Sequence, residues 1–246
     1  MTEKKTAGFL QALDQVSTKA MEAVGTAREE ADGKVYHYCK NGAAALAAGK
    51  LVVAAGVAAA VQNKAMAAAA AIGDTLLTLT ITSATYVVDY FKGGEFQIND
   101  GTGEGHSYPI IGSTAVSADT SINIILGSPI RVALIAADSE FTLVHNKYMA
   151  VVKSTGGTFT AVPAGIPHRA VPIDNYFWLK TKDPLALCLV EGMAAIGSPA
   201  TIGASVDGAI DQLNTTNSTT VTQPIIGTMA GYATADTEYT TVDLNL

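Results

Sequence analysis

Residues 77–82 read LTLTIT, and this stretch decides the fold class. Leu77, Leu79 and Ile81 alternate with three threonines, which is the two-residue period of a strand with one buried face. A helix would instead bring apolar residues together every three or four positions. The stretch therefore predicts a half-buried β-strand.

The same kind of pattern recurs on both sides of this stretch. Short apolar or alternating runs lie at 35–40, 122–126, 132–135, 141–144, 148–152, 177–179, 185–189 and 242–246. Turn residues separate them, such as GSP at 127–129 and STGG at 154–157. Many short strands with regular turn signals predict a mainly-β fold: an antiparallel β-sandwich or barrel-like domain with an extended, partly irregular N-terminal arm.

The N-terminal third is expected to differ from the rest. We predict an arm or short helix at 1–29, an extended, Ala-rich linking segment with a β-hairpin at 30–75, and a β-rich domain at 76–246. Apolar residues in 8–24 follow helical spacing, but an arm that orders only against a partner fits equally well. Alanine favours helix, yet glycines interrupt 43–72, so we expect irregular or extended backbone there and leave a helix open.

Composition and charge narrow the range of functions that this chain could have. The chain has 246 residues, of which 15% are charged, and a formal net charge of −7; ordinary globular domains have about 25% charged residues. A weakly charged chain with many strands often covers its surface with other subunits, and we favour this over a low-charge monomer. The acidic balance, without a basic track, argues against nucleic-acid binding.

Neither a membrane span nor a signal peptide is predicted. The Ala-rich run 43–72 is interrupted by lysines, Gln62 and Asn63, which leaves too few consecutive apolar residues to span a bilayer. TEKK at 2–5 precedes an amphipathic stretch and not an apolar one, so we expect synthesis in a cytoplasm.

Glycines 101, 103 and 105 lie in 93–110, GGEFQINDGTGEGHSYPI. A phosphate-binding loop needs a strand before the glycines and a helix directly after them. Here apolar residues alternate on both sides, with Pro109 inside the second run as an edge strand or a bulge would allow. The segment therefore predicts a hairpin connection and not a phosphate cradle.

Two further candidate sites have weak signals. Asp100, Glu104 and His106 offer oxygen and imidazole ligands, but a solvated turn explains them better than a metal site. GASVD at 203–207 resembles a nucleophile elbow, except that Asp207 stands where glycine is required. We interpret it as a Gly/Ser loop.

The remaining reactive residue types are scattered. The four histidines, which we expect to be satisfied structural residues, are His37, His106, His145 and His168. Cys39 and Cys188 are expected to be reduced, half-buried strand residues, although a bridge stays open. Trp178 is expected to pack in the core and not to form a ligand platform. We predict no catalytic residue, no cofactor-binding residue, no metal ligand and no cofactor.

Two glycosylation sequons, at 214–216 and 217–219, read NTT and NST. Without a signal peptide they would not meet the glycosylation machinery. We expect them to belong to a polar surface loop at 211–222.

Several segments together resemble a known class of protein. They are DGKVYHY at 32–38, AAGKL at 47–51, GGEFQINDGTGEG at 93–105, PI at 129–130, the stretch 141–148, FWLKT at 177–181 and the tail 226–246. With these segments, most of the chain from about residue 30 resembles a bacteriophage capsid decoration (cement) protein of environmental tailed phages. The first 25 residues do not obviously match, and none of the segments is a catalytic motif.

The resemblance implies a virion structural protein that binds the outer surface of an icosahedral capsid. Such proteins often form trimers at local symmetry axes and hold major capsid subunits together, and the resemblance implies no active site. Its implied partners are therefore the major capsid protein and further copies of this chain, with no nucleic acid and no membrane. Its implied location is the outside of the virion.

Alternatives from other classes stay open. A tail-tube, baseplate or fibre-associated protein would share every feature except its location. A carbohydrate-active enzyme would need two carboxylates that face each other in a cleft, and the acids here lie in turns. A glycan-binding β-sandwich is a further alternative.

Overall fold

The computed structural model describes residues 4–5, 8–156, 161–213 and 224–246. The described residues are nearly all in strands, turns and loops with barrel-like sheets, which confirms the predicted mainly-β barrel or sandwich class. The chain forms two compact units: unit 1 is Met1–Ala55 with Lys147–Leu246, and unit 2 is Gly56–Asn146. We find no helix among the described residues with the length and apolar character that a bilayer crossing requires.

The strands are numbered in chain order. They are β1 (Lys4–Lys5), β2 (Ala27–Glu29), β3 (Val35–Lys40), β4 (Val52–Val53), β5 (Lys64–Ala65), β6 (Leu76–Tyr86), β7 (Glu95–Asp100), β8 (Ser107–Ser113), β9 (Val116–Leu126), β10 (Glu140–Val144), β11 (Val152–Lys153), β12 (Pro163–Pro167), β13 (Tyr176–Val190), β14 (Pro199–Ile202), β15 (Ile210–Gln212), β16 (Gly227–Met229) and β17 (Glu238–Asn245). One 3₁₀ turn, η1 (Ala59–Val61), lies between β4 and β5.

Unit 2 is a nearly closed barrel. Its six strands follow the order β5-β10-β7-β8-β9-β6, and all neighbours run antiparallel. The predicted strand at 77–82 lies in β6, where Leu77, Leu79 and Ile81 are buried and the threonines between them are exposed. Aromatic residues such as Phe96 and Phe141 fill the interior, so period-two patterning decides the inside and outside of this sheet.

Unit 1 contains a closed barrel of five strands. The order β13-β15-β14-β16-β17 returns to β13, because β13 also pairs with β17 from Lys182 to Val190. The other half of β13 pairs with β3 and β12, and β4 joins β12 to β11. Small and branched side chains, including Ala186, Cys188 and Val190, fill the barrel interior.

Residues 8–24, which we call the strap, contain no helix and lie against unit 1. Phe9 and Leu13 pack on the cluster around Trp178, with the Phe9 and Trp178 ring centroids 5.1 Å apart. The Trp178 indole Nε1 donates to the Gln11 carbonyl oxygen at 3.1 Å. The short-helix alternative is wrong, because the buried Gln11 side chain donates to the Tyr176 carbonyl and accepts from the Tyr38 hydroxyl, which holds the strap in an irregular path.

Other local expectations had mixed outcomes. Irregular or extended backbone at 43–72 is confirmed, since η1 is its one helical turn. The strand predicted at 132–135 is wrong: only Leu134 forms a bridge there, to Ala70. Most of 148–152 is turn. Ala150 has a φ of 56°, which breaks the extended run.

Segment boundaries in the structure differ from the divisions at 29/30 and 75/76 expected from sequence. The N-terminal part belongs to the same unit as the C-terminal part, because β2 pairs with β3 and β3 pairs with β13. Residues 56–75 belong to unit 2. Sequence composition changes gradually at these points, whereas strand pairing defines the units.

Candidate functional site

The glycine-rich loop is the connection of the β7–β8 hairpin, as predicted. Its glycines have positive φ, and a Cβ on Gly101 would lie 2.1 Å from the Asp138 carbonyl oxygen. The amide of Thr102 donates to Asp138 Oδ2 at 2.8 Å, and that of Gly105 donates to the Ile98 carbonyl at 2.9 Å. These amides already have protein acceptors, so the loop does not present them to a phosphate.

The polar residues of this hairpin do not converge on a metal position. His106 Nδ1 lies 3.0 Å from the Gly103 carbonyl oxygen, and Asp100 accepts from the Gly101 amide at 2.8 Å. In the described part of the chain, no group of three histidines, cysteines or acids is placed to hold a metal ion. Asp100 ends β7, Glu104 lies in the turn and His106 directly precedes β8.

The GASVD segment at 203–207 is a loop fixed by Glu191. The Glu191 carboxylate accepts from the Ser205 amide at 2.9 Å, from the Ser205 hydroxyl at 2.5 Å and from the Val206 amide at 3.0 Å. Burial raises the pKa of Glu191, but these hydrogen bonds outweigh it and lower that pKa. The Ser205 hydroxyl faces a carboxylate and not an imidazole, and Asp207 pairs with Lys153 at 2.9 Å.

The histidines are only partly satisfied. His37 Nδ1 lies 3.0 Å from Thr181 Oγ1 and its ring stacks on Tyr148, which fits a structural role. His145 Nδ1 lies 3.0 Å from the Asn146 carbonyl, but its Nε2 is buried without a hydrogen-bond partner. Both ring nitrogens of His168 are buried without a partner. For His168 the expectation of a satisfied ring is therefore wrong. Its ring lies edge-on to Tyr36, and burial, Lys180 and Arg169 lower its pKa against the opposing effect of the Leu13 backbone and Asp14.

The remaining sequence expectations concern buried residues and one loop. Trp178 is fully buried, which confirms a core position. Cys39 and Cys188 are free as predicted, but both are fully and not half buried. Pro109 lies in β8, where it pairs with Glu95 of β7; the pairing of β8 with β9 begins at Ile110, and its register shift falls between Ile110 and Gly112. The sequons at 214–219 lie outside the described residues.

The most distinctive surface is a group of apolar side chains at one end of the unit 1 barrel. Two loops, 191–198 and 230–237, follow β13 and β16 at that end. These loops expose three large apolar residues: the relative solvent-accessible surface is 70% for Met193, 66% for Ile196 and 66% for Tyr232. We call these three residues the tip cluster.

Backbone and carboxylate hydrogen bonds hold the two tip loops in place. Ala194 and Ala233 form a bridge between them, which places Met193 and Tyr232 on neighbouring segments. Asp236 Oδ1 accepts from the Gly192 amide at 2.8 Å. Because the loops are fixed at several points, the apolar side chains are presented without a large ordering cost on binding.

The same end of the barrel is acidic. Glu191, Asp211 and Asp236 lie near one another, and burial followed by the two neighbouring acids raises the pKa of Asp211. Glu238 accepts from the amide of Thr234 at 3.1 Å. A partner surface that fits this end would combine an apolar depression with basic groups around it.

A shallow cavity of about 370 Å³ lies elsewhere on unit 1. Its walls are mainly apolar and include Ile166, Leu187 and Tyr239. Lys180 also lines it, but its ammonium pairs with the buried Asp183 at 2.5 Å. The cavity thus resembles a receptor for an apolar side chain more than a binding site for an anion.

Sequence reasoning did not identify the tip cluster. A local signal exists for two of its three residues, because GMAAIG at 192–197 places two large apolar residues between glycines, in a segment too short to form a strand. Tyr232 lacks such a signal, since its position depends on the bridge between Ala194 and Ala233. The acids at this end come from three separate segments of the chain, around residues 191, 211 and 236–238.

Comparison with known proteins identifies no relative of this chain. No protein-family model matches the chain, and neither a curated protein nor a solved structure matches it. What the structure defines is the class of fold, a mainly-β protein with closed and nearly closed barrel-like sheets.

Proposed function

We propose that this chain is a virion structural protein that binds the outer surface of an icosahedral phage capsid and stabilises contacts between major capsid subunits. It acts by binding and not by catalysis. Its partners are the major capsid protein and further copies of itself, with a homotrimer as the assembling species. It is made in the host cytoplasm and resides on the outside of the virion.

The tip cluster is the observation that carries this proposal. Met193, Ile196 and Tyr232 are large apolar side chains exposed on two loops that a backbone bridge joins, which makes them candidates for a protein-binding surface. Methionine and tyrosine are also enriched at interfaces. Many weak contacts of this type, repeated over a shell, add to a large total because every copy is tethered to the same particle.

The net charge of −7 is consistent with the proposed location. A negatively charged protein is repelled by packaged DNA and is better suited to the outer side of a shell. The low charged fraction of 15% also fits a protein whose surface is partly covered in an assembly.

Add-back to capsid shells tests the proposal. Shells that lack this protein are incubated with the wild-type chain, with a Met193→Lys/Ile196→Lys variant, or with an Ile173→Lys control. Ile173 is an exposed apolar residue on another loop. We expect the wild type and the control to co-sediment with the shells and raise their resistance to heat, and the tip variant to do neither.

Two results would count against the proposal. The first is wild-type protein that stays in the supernatant at every ratio of chain to shell. The second is a tip variant that binds and protects as well as the control, which would remove the tip cluster from the contact. Electron microscopy of labelled virions distinguishes the capsid from a tail or baseplate location.

A further inference from the structure

β6 is an edge strand of the unit 2 sheet, with no strand paired to its open side. It is 11 residues long and pairs with β9 on one side only. η1 lies in the gap between β6 and the far edge of the sheet, but its one backbone hydrogen bond there joins Val61 to Ala58 and not to β6. Among the described residues, no backbone hydrogen bond reaches β6 from its open side.

The sequence of this edge lacks the usual protection against strand pairing. From Thr75 to Val88 the chain contains no charged residue and no proline. Natural edge strands are commonly interrupted by lysine, by proline or by shortness, because a long neutral edge pairs with other strands. β6 is long and uncharged and contains no proline, so its sequence has none of these three forms of protection.

We propose that β6 pairs antiparallel with β6 of a second copy of this chain, which joins two unit 2 sheets across a two-fold axis. The alternation in 77–81, LTLTI, reads the same in both directions as a pattern of apolar and polar residues. With the axis at Leu79, Leu77 lies opposite Ile81 of the second copy and Thr78 lies opposite Thr80. Within 77–81 every apolar side chain meets an apolar one and every threonine meets a threonine, whereas Leu76 falls opposite Thr82.

Charge favours the same register. Asp74, the first charged residue before the strand, falls opposite Ala84 of the second copy, so the two chains bring no like charges together. Outward-facing Thr78 and Thr80 continue as a row of hydroxyl-bearing residues across the axis. This self-complementarity selects a second copy over an unrelated strand.

The contact does not depend on the proposed capsid role. An isologous contact joins copies in pairs. In a shell built from trimers it would link one trimer to its neighbour and would not lie within a trimer. Backbone pairing alone buries little area, so we expect an association that becomes strong only at high local concentration.

Native mass in solution tests the pairing without any capsid. Sedimentation equilibrium compares the full-length wild type with Thr78→Lys/Thr80→Lys, which places lysines opposite lysines across the axis. The control, Gln97→Lys/Thr120→Lys, adds the same charge at exposed positions on the interior strands β7 and β9. We expect the edge variant to have half the mass of the wild type at equal concentration, with the control unchanged.

Cysteine cross-linking tests the register in a separate variant. In a Thr78→Cys/Thr80→Cys chain the two positions face each other across the axis, so oxidation should give a covalent dimer. In Thr78→Cys/Thr82→Cys no cysteines are opposite each other and we expect little dimer. Both native cysteines are buried and do not interfere. A wild type that stays monomeric at near-millimolar concentration, equal masses for edge and control variants, or equal cross-linking of the two cysteine pairs would each overturn the proposal.

Discussion

The buried amide of Gln11 should stabilise unit 1 more than any other single polar group in the strap. Its side chain is completely buried. Gln11 Oε1 accepts from the Tyr38 hydroxyl at 2.5 Å, and its Nε2 donates to the carbonyls of Gln15 at 2.8 Å and Tyr176 at 3.1 Å. A Gln11→Ala substitution removes all three hydrogen bonds at once.

The expected loss in the free energy of unfolding depends on which groups still have a hydrogen-bond partner after the substitution. The Tyr38 hydroxyl proton loses its buried acceptor, which costs about 1–3 kcal/mol. The Tyr176 carbonyl still accepts from the Ser17 amide at 3.0 Å, so its loss is smaller. Together with the Gln15 carbonyl we expect a decrease of about 2–4 kcal/mol in the free energy of unfolding of unit 1.

Urea unfolding followed by Trp178 fluorescence measures this difference. Trp178 is the one tryptophan of the chain, and its indole donates to the Gln11 carbonyl, so its emission also reports the state of the strap. Leu10→Ala is the matched control, because the neighbouring Leu10 is 67% exposed and should change stability by less than about 0.5 kcal/mol. If Gln11→Ala unfolds at the same urea concentration as Leu10→Ala, the strap does not pack as described.

Three further predictions concern thiols, glycines and pH. Burial raises the pKa of Cys39 far above its usual range and that of Cys188 to about 12. Neither thiol should therefore react with a disulfide reagent until the chain is unfolded. A folded chain whose thiols react as fast as exposed thiols would contradict this. Gly101→Ala should lower the melting temperature more than Gly105→Ala: both glycines have positive φ, but a Cβ meets a carbonyl oxygen only at Gly101. Burial and a nearby lysine lower the pKa of His37 from 6.5 to about 4, so its protonation favours the unfolded chain. Stability should be full above pH 6.5 and fall towards pH 4, by at most about 3 kcal/mol from this residue, and His37→Asn should flatten the pH dependence of unfolding.

Within unit 2, strand patterning predicted some apolar runs correctly and not others, for a physical reason. A strand with one buried face shows its period in its own sequence, and β6 and β10 were identified that way. The run 132–135 is apolar too, but its backbone makes one bridge, through Leu134 to Ala70. Buried residues in a loop are as apolar as buried residues in a strand, so a short apolar run does not by itself distinguish the two.

The candidate site was less accessible to sequence reasoning than the fold. The glycine loop at 99–105 was interpreted correctly, since the alternation on both its flanks is local information. The tip cluster depends on two loops whose bridging residues, Ala194 and Ala233, lie 39 residues apart in sequence and meet only because their strands close a barrel. Exposed apolar side chains in a turn are a usable signal when glycines enclose them, as they do in 192–197.

The long strand β13 joins the two halves of unit 1, although the sequence of β13 is typical of two separate strands. Asp183 and Pro184 interrupt the run and are typical of a turn. In the structure they mark a bulge, where Asp183 pairs with Lys180 and accepts from the Leu185 amide at 2.9 Å. The strand therefore bends without ending, so that its first half pairs with β3 and its second half closes the barrel with β17. Because the tip loop 191–198 begins where this same strand ends, the contact surface proposed for the capsid is continuous in backbone with the half of unit 1 that holds the strap.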